Sequence, residues 1–234
     1  EITALARALQ YNPKLIYEYV RNHIAYDPPT YGLANGANGC LLAGRGNDWD
    51  QAALLVSLLR VSGFNTRFVR GVVEYSRSDL AKCLGVPQNK IAELLGNGGH
   101  FFSEYPASCE MYRMWVEAEI EGTWYTFDPS FKEYQDIAGI DLAAAMGYTQ
   151  ASFLASAAEG ATVSNDYVQN INGTNIETLL TTYTTNLLKH IRTYYPNSKT
   201  DEIISGRRLV SQTLTNYSTE LPYALSAEVL DTYD

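Results

Sequence analysis

The 234-residue chain reads as an α+β domain, with helices segregated from an antiparallel sheet. Three observations predict this class. Helical periodicity fills both ends, a run apolar nearly all round occupies 49–62, and alternating Val- and Phe-rich segments with glycine turns lie between them. Apolar residues make up 46% and charged residues 18%, enough to bury a real core and too few charges for a disordered chain.

The elements follow in order. Ile2, Leu5, Ala6 and Leu9 keep helical spacing over 2–9, and Pro13 opens a second helix with Leu15, Ile16, Tyr19, Val20 and Ile24 on one side. The stretch 27–46 holds two prolines and five glycines and reads as loop. Trp49–Ser62 carries Ala52, Ala53, Leu54, Leu55, Val56, Leu58 and Leu59, the composition of a central buried helix, and Gly63 caps it. Thr66–Tyr75 alternates and reads as a strand. Two short helices are expected at 78–84 and 87–95, then strands at Met114–Ile120 and Trp124–Phe127 joined by the tight turn Glu121-Gly122. Residues 140–195 return to helical periodicity, rich in small side chains and ending in a long helix at Ile176–Tyr194. The expected division is a core over 1–138, with an insertion at about 76–112, and a helical extension over 139–234 packed on it.

The net charge of −9 argues against binding a phosphate backbone, so no nucleic-acid partner is expected. No apolar run approaches the ~20 residues that span a bilayer, so no membrane insertion is expected either. Glu1 rather than Met opens the chain, which suggests a piece of a longer polypeptide. Three cysteines (Cys40, Cys83, Cys109) and three histidines form no cluster of metal-ligand spacing, and neither a metal nor another cofactor is expected. The 18 tyrosines suit either a contact face or packing against surface helices.

Two segments carry a family resemblance. One is Gly44-Arg45-Gly46-Asn47-Asp48-Trp49-Asp50-Gln51-Ala52, running through Leu58-Leu59-Arg60 to Gly63 and into Thr66–Gly71. The other is Trp115-Val116-Glu117 with Gly122, Trp124 and Phe127-Asp128-Pro129-Ser130. Together, over roughly residues 13–135, they resemble the nucleophile helix and the paired base and D-P strands of transglutaminase-like enzymes, a papain-type Cys-His-Asp superfamily. Ile16–Ile24 and Ser205-Gly206-Arg207-Arg208 are also similar to a bacterial branch that precedes long YD/Rhs-type repeat regions in very large surface or secreted proteins. That resemblance implies an extracellular or cell-surface location, with other domains of the same polypeptide as neighbours.

The family chemistry implied is acyl transfer. A thiolate at the N-terminus of a buried helix, stabilised by an imidazolium, attacks an amide carbonyl, and an aspartate orients the histidine. This chain departs from that pattern. Counting back from Arg60 puts Asp48 at the nucleophile position, and counting back from Trp115 puts Arg113 at the base position. Asp128 alone keeps its family identity. Asp supplies no thiol and Arg accepts no proton, so the standard mechanism cannot run on these residues.

The signs of charge are preserved: minus, plus, minus. A structural ion network is therefore expected, with the guanidinium able to bridge both carboxylates. The bland alternative makes Asp48 an N-cap residue and points Arg113 to solvent. A rebuilt Cys40–His100 dyad is a second option, because Cys40 lies in the approach loop and His100 in the insertion. His23 and His190 read as packed or solvated helix residues. Asp50 and Glu117 read as capping and salt-bridging groups.

The leading functional reading is a catalytically inactive module that binds a peptide, protein or glycan in a remnant cleft, with Trp49, Trp115, Cys40 and His100 as binding candidates, or that serves as a spacer. The alternatives are an amidase, peptidase or transglutaminase using Cys40, and a carboxylate-dependent hydrolase.

Overall fold

In the computed structural model, residues 1–28, 30–226 and 231–234 are described. Helix α1 spans Ile2–Ala8, and α2 spans Pro13–His23. Asn12 starts α2 by accepting the N–H groups of Lys14 and Leu15 at 3.0 and 3.2 Å, and Pro13 gives up no needed donor. Strand β1 (Ala25–Tyr26) pairs in parallel with β2 (Arg45–Gly46).

Between them the sequence predicted loop, yet an eight-residue helix, α3 (Gly36–Ala43), is present. Its start is capped from outside: Asp50 Oδ1 accepts the N–H groups of Ala34, Asn35 and Gly36 at 3.1, 2.7 and 2.8 Å. Capping rules that look only at flanking residues miss such a partner. Gly44, at φ 64°, ends the helix.

Helix α4 (Asp48–Val61) is buried at nine positions spread around its circumference, as its composition predicted. Then come β3 (Thr66–Ser76), α5 (Arg77–Leu84), a 3₁₀ turn at Gln88–Lys90, α6 (Ile91–Asn97), β4 (Phe102–Glu104), β5 (Ser108–Ile120) and β6 (Thr123–Phe127). The β5–β6 turn places Glu121 and Gly122 at φ 52° and 80°, the double positive φ that a two-residue hairpin of type I′ requires.

The chain divides into two compact units, Glu1–Tyr134 with Leu209–Asp234, and Gln135–Arg208. This differs from the single expected boundary at 138/139, because residues 209–234 belong with the first unit. Around the second unit run β7 (Tyr134–Ile137) and β10 (Gly206–Leu209), which pair with each other. It contains α7 (Leu142–Met146), α8 (Gln150–Ala157), the hairpin β8 (Thr162–Val163) and β9 (Val168–Gln169), the 22-residue α9 (Gly173–Tyr194) and α10 (Thr200–Ile204). Its buried apolar residues are Ala157, Tyr183 and Ile203. Tyr148 and Phe153 pack on the Tyr183 ring at centroid distances of 5.5 and 6.5 Å.

In the first unit β5 is the spine of the sheet. It pairs with β3 from Ser108 to Ala118 on one side. Along the other edge lie β4, against Cys109–Met111, and then β6, against Val116–Ile120. The outer edge of β3 takes β11 (Ala224–Leu225) and β12 (Asp231–Tyr233), the latter tied by an ion pair between Asp231 and Arg70.

Both faces of the sheet are covered. Met114, Val116, Ala118 and Ile120 pack against α4 and the Ile16–Val20–Ile24 stripe of α2. Cys109, Met111 and Trp115 face the other way, with Val69, Val73, Tyr75 and the α5–α6 residues Leu80, Leu84, Ile91 and Leu95. The helices between β3 and β5 therefore close a second apolar core.

One glycine is fixed by close approach. Gly71 lies opposite Arg113, and a Cβ there would stand 2.6 Å from Cη2 of Trp115, a ring only 1% exposed. Gly71→Ala should therefore cost about 1–3 kcal/mol through forced repacking. Urea denaturation will read this as a lower midpoint at constant slope; an unchanged midpoint would show that the ring yields freely.

Candidate functional site

The first turn of α4 organises the site. Asn47 caps it, accepting from the Asp50 N–H at 2.9 Å, and its amide donates to the carbonyls of Thr30 and Gly32 at 2.9 and 2.7 Å. Gln51 donates to the Gly46 carbonyl at 2.7 Å and the Ala25 carbonyl at 3.2 Å. With Asp50, which caps α3, three polar side chains (Asn47, Asp50 and Gln51) thus bind the glycine-rich approach segment to the helix start, and all three are buried.

Asp48 is the first residue of α4, as expected, and its carboxylate meets the sheet at a gap. The Tyr112 N–H still donates to the Phe101 carbonyl at 3.1 Å, but from there to the β6 pairing residues 113–115 of β5 have an open edge, and the Met114 N–H donates to Asp48 Oδ2 at 2.8 Å. The side chain takes the place of a missing neighbouring strand.

Arg113 follows from the β5 alternation, and the hairpin returns Asp128 beside it. Arg113 Nε donates to Asp128 Oδ2 at 2.7 Å, Nη2 to Ser130 Oγ at 2.8 Å and Nη1 to the Tyr26 hydroxyl at 3.1 Å. Asp128 Oδ1 accepts from the Ser130 N–H (2.8 Å), the Ser130 hydroxyl (2.6 Å) and the Phe131 N–H (3.1 Å), an Asx-type turn that ends β6. The Tyr223 hydroxyl donates to Asp128 Oδ2. The guanidinium carbon lies 5.1, 5.7 and 6.0 Å from the ring centres of Tyr26, Tyr75 and Tyr223.

The expected three-residue network is only partly formed. Arg113 and Asp128 make an ion pair whose side chains are 1% and 0% exposed, but no ion pair joins Arg113 to Asp48. The guanidinium spends its donors on Asp128, Ser130 and Tyr26, and Asp48 turns to the backbone instead. The solvent-facing alternative for Arg113 is excluded by its burial.

Electrostatics separate the two acids. Burial pushes the Asp48 carboxyl above its ordinary value, and Arg113 and the Met114 N–H only partly offset this. Burial also acts on Asp128, but there Arg113, Ser130 and Tyr223 outweigh it and hold the carboxyl below the ordinary value. For Arg113 burial is likewise overcome, by Asp128 and the tyrosines, and its pKa lies well above the ordinary value. Arg113 therefore stays a cation.

The other candidates are placed as follows. Cys40 is fully buried under Gly46 and Asp50, and burial with the Asp50 charge pushes its thiol up to about 12. His100 is buried, with Nε2 3.0 Å from the Pro28 carbonyl, and no hydrogen bond joins it to Cys40. Trp115 is wholly buried in the second core. Trp49 is half-buried and meets Tyr31 edge-on at 5.7 Å. Glu117 pairs with Arg67 at 2.6 Å. No disulfide joins Cys40, Cys83 and Cys109.

Sequence reasoning missed Tyr26, Tyr75, Ser130 and Tyr223. The excess of tyrosine was the available signal, although nothing in it pointed to one arginine. Among the described residues no group of three His, Cys, Asp or Glu could hold a metal ion, and no helix is long and apolar enough to cross a membrane.

The order of these parts is a buried helix whose first residue meets a strand, followed by a hairpin that returns an aspartate, all within the first 129 residues. The sequence model of the Transglutaminase-like superfamily matches residues 1–129, and the chain belongs to that superfamily. Among solved structures it is similar to "a Putative Cysteine Protease from Cytophaga hutchinsonii", at 16% identity and a TM-score of 0.36. That alignment covers 55% of this chain and 36% of the other, so the chain spans little more than a third of that protein's length. No curated protein matches the chain.

The two acids should titrate with opposite signs. Asp128 is a stronger acid folded than unfolded, so its stabilisation is present above the ordinary carboxylate pKa and is lost as pH falls through the folded value. Asp48 is a weaker acid folded than unfolded. Its contribution is fully present below the ordinary pKa and is lost as pH rises through the folded value. Asp128→Asn should cost about 3–5 kcal/mol near neutral pH, because Arg113 is left without its counter-charge. Asp48→Asn keeps an acceptor for Met114 and should gain on the parent as pH rises from about 4 to about 7. Denaturant titrations across that range will check both, and parallel curves for parent and D48N would refute the assignment for Asp48.

Proposed function

We propose that the domain is a catalytically inactive transglutaminase-like module of a larger secreted or cell-surface bacterial protein, serving as a binding or structural domain. In this reading Asp48, Arg113 and Asp128 stand at the family's nucleophile, base and orienting positions. The observation that carries it is the state of Arg113. A group at the base position has to exchange a proton with the nucleophile, and this guanidinium is buried, held cationic and committed to Asp128, Ser130 and Tyr26.

Asp48 adds to the case. Its carboxylate is tied to the sheet backbone and lacks the nucleophilicity of a thiolate, and no proton acceptor lies on it among its hydrogen bonds. The thiol alternative is disfavoured by Cys40 itself, whose value near 12 leaves almost no thiolate at neutral pH. The larger-protein context rests on the resemblance of Ile16–Ile24 and Ser205–Arg208 to the branch that precedes YD/Rhs-type repeats. A peptide, protein or glycan ligand and the neighbouring domains of the same polypeptide are the partners this reading entails.

The protein should show no transamidation, deamidation or peptide hydrolysis on generic glutamine or peptide substrates. The double variant Asp48→Cys with Arg113→His should carry a thiol that iodoacetamide alkylates well below pH ~8.5, since the helix N-terminus favours the thiolate. Parent turnover that vanishes in Cys40→Ala would overturn the inactive reading in favour of a thiol enzyme. Turnover that survives Cys40→Ala but is lost in Asp48→Asn would favour a carboxylate-dependent hydrolase.

A further inference from the structure

A cleft of about 770 Å³ opens beside the ion pair, within the first unit. Its floor holds a charge that the fold leaves unanswered. Arg21, in the last turn of α2, is 2% exposed, and neither of its Nη atoms has a hydrogen-bond partner. Lys132, also 2% exposed, lies beside it and donates to the carbonyls of Val20 and Arg21 at 2.9 and 2.7 Å. The buried acid nearest in the cleft wall, Asp128, has both oxygens committed to Arg113, Ser130, Phe131 and Tyr223. Arg21 thus stands on the floor with no ion pair of its own: Asp128 and Glu133 act on it only at a distance, and burial together with Arg21 pushes the Lys132 ammonium well below its ordinary value.

A buried, unpaired guanidinium is among the costliest features a fold carries, whereas a carboxylate satisfies it through two parallel hydrogen bonds. The cleft has the size of a site for a small ligand or a peptide end. Tyr17 stands one helical turn before Arg21 and lines the same cleft, with Phe127, Phe131 and Leu221 as further apolar walls. Exposed acids Asp79, Glu133 and Glu220 stand at the rim. Acids there repel polyanions while leaving a single carboxylate, deep against Arg21, well matched.

We propose that this cleft binds the C-terminal carboxylate of a peptide whose last residue is apolar, with Arg21 as the carboxylate fork, Lys132 as a neighbouring N–H donor and the tyrosine–phenylalanine walls receiving the side chain. The proposal does not depend on whether the Asp48–Arg113–Asp128 cluster is inactive, so a turnover assay and a binding assay can fail separately.

The test is calorimetric titration of the full chain with N-acetylphenylalanine, N-acetylphenylalanine amide and inorganic phosphate. The free acid should bind at least tenfold more tightly than the amide, and phosphate should compete poorly. Equal binding of acid and amide, no binding of either, or phosphate as the better ligand would each overturn the proposal. Arg21→Met should lose the acid-over-amide preference while melting no lower than the parent, because the charge removed has no partner. A variant that melts lower, or fails to fold, would show Arg21 to be a structural residue and would overturn it as well.

Discussion

A guanidinium that is 1% exposed must find a counter-charge and partners for its donors before a fold can contain it, and the first unit is arranged around meeting that demand for Arg113. Its partners come from four separated stretches: Tyr26 on β1, Tyr75 on β3, Asp128 and Ser130 after β6, and Tyr223 ahead of β11. Each tyrosine offers a ring face to the cation, and two also place a hydroxyl in the network. Because Tyr75 and Tyr223 also pack against Phe131, polar satisfaction and core packing are settled by the same side chains.

This arrangement separates what the superfamily fixes from what it leaves open. Membership accounts for the buried helix, the strand it meets and the returning hairpin, and none of these specifies a reaction. Chemistry depends on which group can change its protonation or attack. In the reading proposed above, Arg113, locked as a cation and paired with Asp128, puts a fixed charge where a catalytic site needs a group that exchanges a proton.

Much of the core was legible in the sequence because its determinants are local. The all-round apolar run of α4, the alternation of β3 and β5, and the Glu121-Gly122 turn each announce themselves within a few residues. What escaped depends on distant partners. Helix α3 is capped by Asp50, which follows it in the chain, and the strands β11 and β12 join β3 across the whole of the second unit. At the site, the family resemblance placed Asp48, Arg113 and Asp128 together but not their pairing, since a choice between a backbone N–H and a guanidinium is set by geometry. Arg21 was passed over for a similar reason: among the apolar residues of α2 it looks like an ordinary surface arginine, and only the tertiary packing buries it.

The contact between Tyr223 and Asp128 spans 95 positions of sequence. During synthesis the ribosome must therefore complete all of 135–208 before the lid over the ion pair exists, and until then Arg113 stands without one of its three aromatic rings. Closing so long a loop adds only modestly to the entropy cost but slows the search for the native pairing. Until β11 and β12 have been made, the outer edge of β3 has no partner strand of its own chain, and a bare edge is a surface on which neighbouring chains can add strands. The last strands of the chain thus protect the sheet edge as well as closing the site.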